Sequence, residues 1–328
     1  MSNTSVNTSL SSIFSGKKSY LIITSKILIA AGLLYYLINS VQYSQIISAL
    51  KNVNFMLLSL VLVLGIINIY LQYAKWELTS ASLLDETNKQ KIFRSLFYGF
   101  SAGIITPLRV GEYFGRGIEF KDKSLIQVTA ATLVDKFFPL LIVAFLGSVS
   151  SLLFLYYYLN ISSYIILSLF ILLFTLFYFL IFLIKNKRFW SSVIFSRLNS
   201  SSRLKSLLNK LKIFESLDRT YFNKMMVVSF LFYTCYLIQF ALLISAFSGR
   251  YDFEIYLWAA NLVMFVKTII PPVSMGELGI REGTSVYFLT QMGEAASVGF
   301  NASIMLFIIN LLIPALIGAV MFLRKNVN

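Results

Sequence analysis

Long uninterrupted apolar runs constrain this chain more than any other feature. Stretches at about 54–74, 125–150, 162–184, 225–247 and 299–323, and Tyr20 to Asn39 behind a polar Ser/Asn-rich N-terminus, are all of spanning length. About 20 residues of helix cross the hydrocarbon core of a bilayer, so six spanning helices are predicted. With 58% of residues hydrophobic and 13% charged, too little polar surface remains to coat a soluble domain. The expected fold is an all-α polytopic membrane protein. The 20–39 run is too long for a signal-peptide core and no small-residue cleavage site follows it, so it is expected to stay as the first span.

Two further apolar runs are short. One, 95–106, stops at Thr106-Pro107; the other, 255–270, stops at Pro271-Pro272. Each is followed by a Gly- and charge-bearing stretch and a second short apolar piece, the pattern of a re-entrant or broken helix. Irregular backbone at membrane depth survives only where protein or a wet cavity satisfies it.

The charge surplus fixes an expected orientation. Lys+Arg number 28 against 14 Asp+Glu, a formal +14, and basic residues accumulate in cytoplasmic loops. Segment 185–224 alone holds ten of them, against Glu215 and Asp218. That segment, the N-terminus with Lys17 and Lys18, and the tail with Arg324-Lys325 are therefore expected inside. The 75–94 stretch, with Lys75, Lys89, Lys91 and Arg94, is read as a further inner loop. The opposite loops are nearly bare, and the assignment is self-consistent when both broken segments re-enter, one from each side. Leu204, Leu207, Leu208, Leu211 and Phe214 recur at helical spacing within 185–224, among lysines, which suits an amphipathic helix on the anionic inner leaflet.

The domain plan is thus a polar N-terminus (1–19), a first membrane half (20–184) with a broken segment at 95–120, and a basic linker (185–224). A second half (225–323) follows, with a broken segment at 255–293 and a short tail (324–328). The localisation expected is the cytoplasmic membrane of a bacterium or archaeon, with both ends inside.

Chemistry is narrowed by absences. The sequence has no His and a single cysteine, Cys235, which excludes His/Cys metal cages, Ser-His-Asp triads and internal disulfides. No cofactor, metal site or catalytic residue is expected. Cys235 lies in an apolar run and is expected to pack inertly. No G-x-x-x-x-G-K-[ST] loop occurs, so ATP hydrolysis is not expected.

The most informative pattern occurs twice. Pro107-Leu-Arg-Val-Gly111-Glu112-Tyr-Phe-Gly-Arg116 and Pro272-Val-Ser-Met-Gly276-Glu277-Leu-Gly-Ile-Arg281 both read P-x-x-x-G-E-x-x-x-R, offset by 272 − 107 = 165 residues. Flanking spans match as well, which predicts an inverted-topology repeat, a plan that places transporter sites where broken segments meet. Pro107, Pro271 and Pro272 stop the incoming helices, while Gly111, Gly276 and Gly279 let backbone turn or approach a ligand. Arg116 and Arg281 carry permanent planar cations suited to phosphate. Glu112 and Glu277 stand four residues before them, on the same helical face.

Two interpretations of each Glu–Arg pair stay open: substrate binding, or mutual neutralisation that locks the hairpin. Ionisable groups are costly in membranes, which favours function. Asp135-Lys136 lies inside a span, and adjacent helical residues face different ways, so the two are not expected to pair with each other. Lys267 stands one turn before Pro271. Arg109, expected to snorkel to the interface, and Glu282, expected to cap or pair locally, complete the candidates. Asn68, Gln72, Gln239, Asn261 and Asn310 are expected to link helices by hydrogen bonds.

At these residues the chain resembles the integral membrane region of lysylphosphatidylglycerol synthases, the multiple peptide resistance factor type, and the stand-alone flippase-like membrane proteins related to it. The resemblance spans roughly residues 20–323 and rests on Pro107…Gly111-Glu112…Arg116, Asp135-Lys136, and the G-E-L-G-I-R-E-G stretch ending at Gly283. Two departures stand out: the family's second acid after Asp135-Lys136 is replaced by Pro139, and Glu277 occupies the second glycine of its G-G-x-G-x-R-E signature. The resemblance implies a transporter that moves a lipid head group rather than an enzyme that makes one. The lipid expected bears phosphate, and whether it is aminoacylated or polyprenyl-linked stays open.

The partners expected are a phospholipid or other lipid and the inner leaflet. Nucleic acid is not expected, and a homo-oligomer is compatible with the sequence. Two other functions compete. One is a membrane glycosyltransferase, which would need a catalytic acid among Asp252, Glu254 and Glu294; the other is a non-transporting partner of a lipid synthase.

Overall fold

The computed structural model describes residues 53–185, 219–270 and 279–327, with a few positions between 47 and 51. These form helices throughout, with no strand among the described residues. In chain order they are α1 (Phe55–Leu83), α2 (Lys89–Ile105), α3 (Val110–Gly117), α4 (Leu125–Leu159), α5 (Ser163–Lys185) and α6 (Arg219–Ser248). There follow α7 (Phe253–Ile269), α8 (Ile280–Gln291), α9 (Ala296–Phe307) and α10 (Ile313–Val327). A 3-10 turn, Pro107–Arg109, joins α2 to α3, and a π-helical stretch, Ile308–Leu312, joins α9 to α10.

Among the described residues, five helical stretches are long and apolar enough to cross a membrane: Phe55–Leu83, Leu125–Leu159, Ser163–Leu180, Arg219–Ser248 and Ala296–Arg324. They coincide with five of the six predicted spans, and the chain is an all-α polytopic membrane protein. The sixth, Tyr20 to Asn39, lies outside the described residues. So do residues 186–218 of the basic segment, with its expected amphipathic helix, and Pro271, Pro272, Gly276 and Glu277.

Local sequence explains the helix limits. Asn54 caps α1 by accepting from the Met56 and Leu57 amides, and Asn88 caps α2 by accepting from those of Gln90 and Lys91. Ser124 and Gln127 form a reciprocal capping box at α4, satisfying amides that have no partner within the helix. One boundary differs from expectation. The stretch from residue 75 does not begin an inner loop: α1 continues to Leu83, because Lys75, Thr79 and Ser80 are buried on its inner side. Likewise α6 begins at Arg219, taking in the last part of the expected linker.

Among the described residues, two helices before the basic segment share the 165-residue offset with two helices after it. Adding 165 to the limits of α1 gives 220–248, against Arg219–Ser248 for α6; adding it to those of α2 gives 254–270, against Phe253–Ile269 for α7. These equivalent long helices, α1 and α6, pack on each other. The Asn54 amide donates to the Ala246 carbonyl at 3.0 Å, Gln239 Nε2 donates to the Val61 carbonyl at 3.2 Å, and the Thr79 and Tyr221 hydroxyls meet at 3.0 Å. The residue numbers in each pair total 300, so α1 and α6 run antiparallel.

The remaining elements exchange partners. From the second half, α10 packs on α2, where Ser101 Oγ donates to the Ala315 carbonyl at 2.5 Å. From the first half, α4 packs on α7, where Trp258 Nε1 donates to the Ser150 carbonyl and Asn261 Nδ2 to the Leu146 carbonyl. Both contacts use a glycine: Gly318 of α10 lies against the Phe97 carbonyl and Gly147 of α4 against the Phe265 ring. Aromatic and aliphatic side chains of α6, α7, α8 and α9 supply most of the larger core, with Val61 of α1 and Ile142, Val143 and Phe154 of α4, while α1, α2 and α4 supply most of a second one around Trp76.

Candidate functional site

The first repeated motif forms a tight helical hairpin. Thr106 leaves the helical conformation ahead of Pro107, as a residue preceding proline is driven to do. Leu108 and Arg109 then both adopt left-handed backbone, at φ 55° and 54°, which reverses the chain. Residues with a Cβ pay for that conformation, and neighbouring contacts hold it. Thr106 Oγ1 accepts from the Gly111 amide at 2.6 Å and donates to the Ala102 carbonyl at 2.9 Å. A Cβ on Gly111 would fall 2.2 Å from that carbonyl, and one on Gly115 would fall 2.4 Å from the carbonyl of Tyr98. Glycine at both positions lets α3 lie directly on α2, with Glu112 and Arg116 on its buried side.

From there a line of alternating charges crosses three helices. On α1, Lys75 Nζ lies 3.5 Å from Asp135 Oδ1. Asp135 Oδ2 accepts from Arg116 Nη1 at 2.9 Å, and Arg116 Nη2 donates to Glu112 Oε1 at 2.9 Å. Glu112 Oε2 accepts from Lys136 Nζ at 2.6 Å and from Arg109 Nη2 at 3.1 Å. Lys75, Asp135, Arg116 and Glu112 are buried, whereas the side chain of Lys136 is 32% exposed and that of Arg109 20%. The line therefore runs from the interior to an accessible end.

Its geometry follows from the sequence. Asp135 and Lys136, neighbours on α4, diverge as expected, one to Arg116 and the other to Glu112. Pro139 sits inside α4 and lacks the amide that would bond the carbonyl of residue 135. Lys75 Nζ fills that vacancy, donating to the Asp135 carbonyl at 3.2 Å. Arg116 stacks on Trp76, its Cζ 4.3 Å from the ring centroid, a cation–π contact in a desolvated setting. Ser95 completes the enclosure: its Oγ accepts from Trp76 Nε1 at 3.2 Å and donates to the Arg116 carbonyl at 2.8 Å.

Of the second motif, the described residues are Gly279 to Arg281. Gly279, at φ 95°, opens α8 in a conformation that favours glycine. Its amide donates to Glu282 Oε2 at 2.6 Å, and Glu282 Oε1 accepts from Arg281 Nη2 and from Ser303 Oγ. Arg281 lies over the Phe307 ring. Both Arg281 and Glu282 are buried, so Glu282 both caps and pairs, as anticipated.

Lys267 lies over the Tyr236 ring, 5.6 Å from its centroid. Gln239 and Asn310 exchange side-chain amide hydrogen bonds at 2.7 and 3.2 Å between α6 and the π-helical stretch, and Asn261 links α7 to α6 and α4. Asn68 and Gln72, in contrast, bond within α1. Cys235 is buried, its thiol toward the Leu64 carbonyl.

The structure thus joins Glu112, Arg116, Asp135, Lys136 and Arg109 in one cluster and places Arg281 and Glu282 in another. Arg109 pairs with Glu112. Lys75, Trp76 and Ser95 belong to the first cluster and were missed. A signal for Lys75 existed: Asn68, Gln72, Lys75 and Thr79 recur at spacings of four, three and four, a polar stripe continuing an apolar helix. No group of three or more His, Cys, Asp or Glu able to hold a metal occurs among the described residues.

The family model described as the lysylphosphatidylglycerol synthase TM region matches residues 23–318 of the chain. No curated protein matches it.

Proposed function

The chain belongs to the lysylphosphatidylglycerol synthase TM region family, and from that premise we propose that it transports a lipid, carrying a phosphate-bearing head group across the membrane. One observation carries this: the line of five alternating charges, Lys75–Asp135–Arg116–Glu112–Lys136, inside a bundle of spanning helices. Charges at membrane depth are costly and face a pathway or one another. Here one end of the line is accessible, and that end is cationic, which suits an anionic head group.

The architecture supports the same reading. Antiparallel packing of the equivalent helices α1 and α6, with α10 lent to α2 and α4 lent to α7, is the arrangement expected of an inverted-topology repeat. In such transporters the two halves rock about a site between them. The broken hairpin α2–α3 re-enters from the cytoplasmic side and its counterpart α7–α8 from outside. The head group passes along the polar surface between them while its acyl chains stay in lipid. A cytoplasmic membrane, with both ends of the chain inside, follows from the distribution of basic residues.

The test is translocation in vesicles. Purified protein reconstituted into liposomes with fluorescent phosphatidylglycerol should hasten its movement between leaflets, read by quenching of the outer leaflet. Glu112→Gln, which uncouples Arg116 from Lys136, should slow it about tenfold or more, as expected for losing one charge-assisted contact. Equal rates in folded parent and variant contradict the assignment.

A further inference from the structure

We propose that Lys136 is the residue that contacts the phosphate of the head group, and that Arg116 positions it from behind through Glu112 without touching substrate. This rests on the transport reading and names the substrate-facing atom within it.

Sequence alone favours Arg116, whose planar fork suits phosphate. Its surroundings assign it another task. One terminal nitrogen of Arg116 is taken by Asp135 and the other by Glu112, its guanidinium lies on Trp76, and its side chain is 3% exposed. A phosphate reaching it would have to displace two carboxylates and pass an indole ring. Lys136 is the opposite case. It is the last member of the line, its side chain is 32% exposed, and Glu112 Oε2 takes one hydrogen bond from an ammonium that has three to give. Its ammonium is also 5.1 Å from the centroid of the Tyr113 ring.

The line gives Arg116 and Lys75 their purpose. Glu112 carries charge on both oxygens; with Oε1 fixed by Arg116, Oε2 is aimed at the accessible side and holds Lys136 there. Asp135 fixes Arg116, and Lys75 fixes Asp135 twice, through the carboxylate and through the carbonyl left open by Pro139. Each buried charge thus orients the next, ending on the partly exposed amine of Lys136. Arg109 adds positive charge beside it on the same Glu112 oxygen.

The experiment measures binding separately from transport. Purified full-length protein in neutral detergent is titrated with short-chain phosphatidylglycerol and, in parallel, with inorganic phosphate, and thermal unfolding is recorded for every variant. Lys136→Gln should raise Kd for the lipid about tenfold or more, the loss of one charge-assisted contact, with Tm unchanged; Lys136→Arg should stay near the parent. Arg116→Lys should lower Tm while raising Kd less than Lys136→Gln does. Lipid affinity unchanged in Lys136→Gln overturns the proposal. So does an Arg116→Lys variant that keeps its Tm but loses more affinity than Lys136→Gln. Inorganic phosphate binding as tightly as the lipid overturns the lipid as ligand. Binding that depends on Lys136 without translocation overturns the transport reading alone; translocation with Lys136-independent binding overturns this assignment alone.

Discussion

Asp135 shows how much a single side chain can decide here. It lies between Lys75 and Arg116, both as buried as itself, so removing its carboxylate takes a counter-charge from two cations, of which Arg116 keeps Glu112. Breaking a buried pair costs about 3–5 kcal/mol because the remaining charge stays desolvated. Asp135→Ala should therefore unfold in detergent well below the parent temperature. Adding Lys75→Met should recover part of the loss, since it withdraws one of the two cations; a double variant no more stable than the single one contradicts the pairing. Much at this scale was legible in the sequence. Glu112 and Arg116 share a face by spacing, and Asp135 and Lys136 diverge because helical neighbours must. Lys75 was not legible in the same way, because a lysine just past an apolar run reads as a loop signal. The polar stripe Asn68, Gln72, Lys75, Thr79 marks its helical face, but its partner, an open carbonyl sixty residues away created by Pro139, leaves no local trace.

At the scale of elements, glycine and proline do most of the shaping. Pro107 ends α2, and Gly111 and Gly115 then let α3 fold back against carbonyls of the same helix. Gly318 plays the same part across the halves, seating α10 on α2 beside the Phe97 carbonyl. Gly111→Ala should cost about 1–3 kcal/mol, because the new methyl meets a carbonyl that cannot rotate away. Gly117→Ala, whose methyl would meet only the end of the Leu125 side chain at 2.9 Å, should cost less. Comparing the two unfolding temperatures checks this, and equal costs would mean the hairpin is looser than its contacts suggest. The spans were legible from hydropathy, and the stops from proline. Helix ends were less so: α1 extends to Leu83 because its polar residues are buried, and composition cannot distinguish a buried polar stripe from a solvated turn.

Across the whole molecule, the repeated motif predicts an inverted-topology repeat. The 165-residue offset relates the limits of α1 to those of α6 and of α2 to α7, though not those of α3 to α8, and α1 and α6 pack antiparallel. What the motif does not foretell is the setting of its described arginines. Arg116 belongs to a line of charges that ends at an accessible amine, whereas Arg281 is buried beside Glu282, Ser303 and Phe307. The residues flanking each motif make the difference: Lys75, Asp135 and Lys136 stand on the helices around the first, and identical motif letters conceal them. The central claim is that this line serves the passage of a phosphate-bearing lipid. Its most direct test is the rate at which the reconstituted protein moves two fluorescent lipids with identical chains, one with a phosphodiester head group and one with a neutral sugar. The account predicts faster movement of the phosphodiester lipid, and loss of that preference in Lys136→Gln. Equal rates for both lipids, or a preference that survives Lys136→Gln in a folded protein, would contradict it.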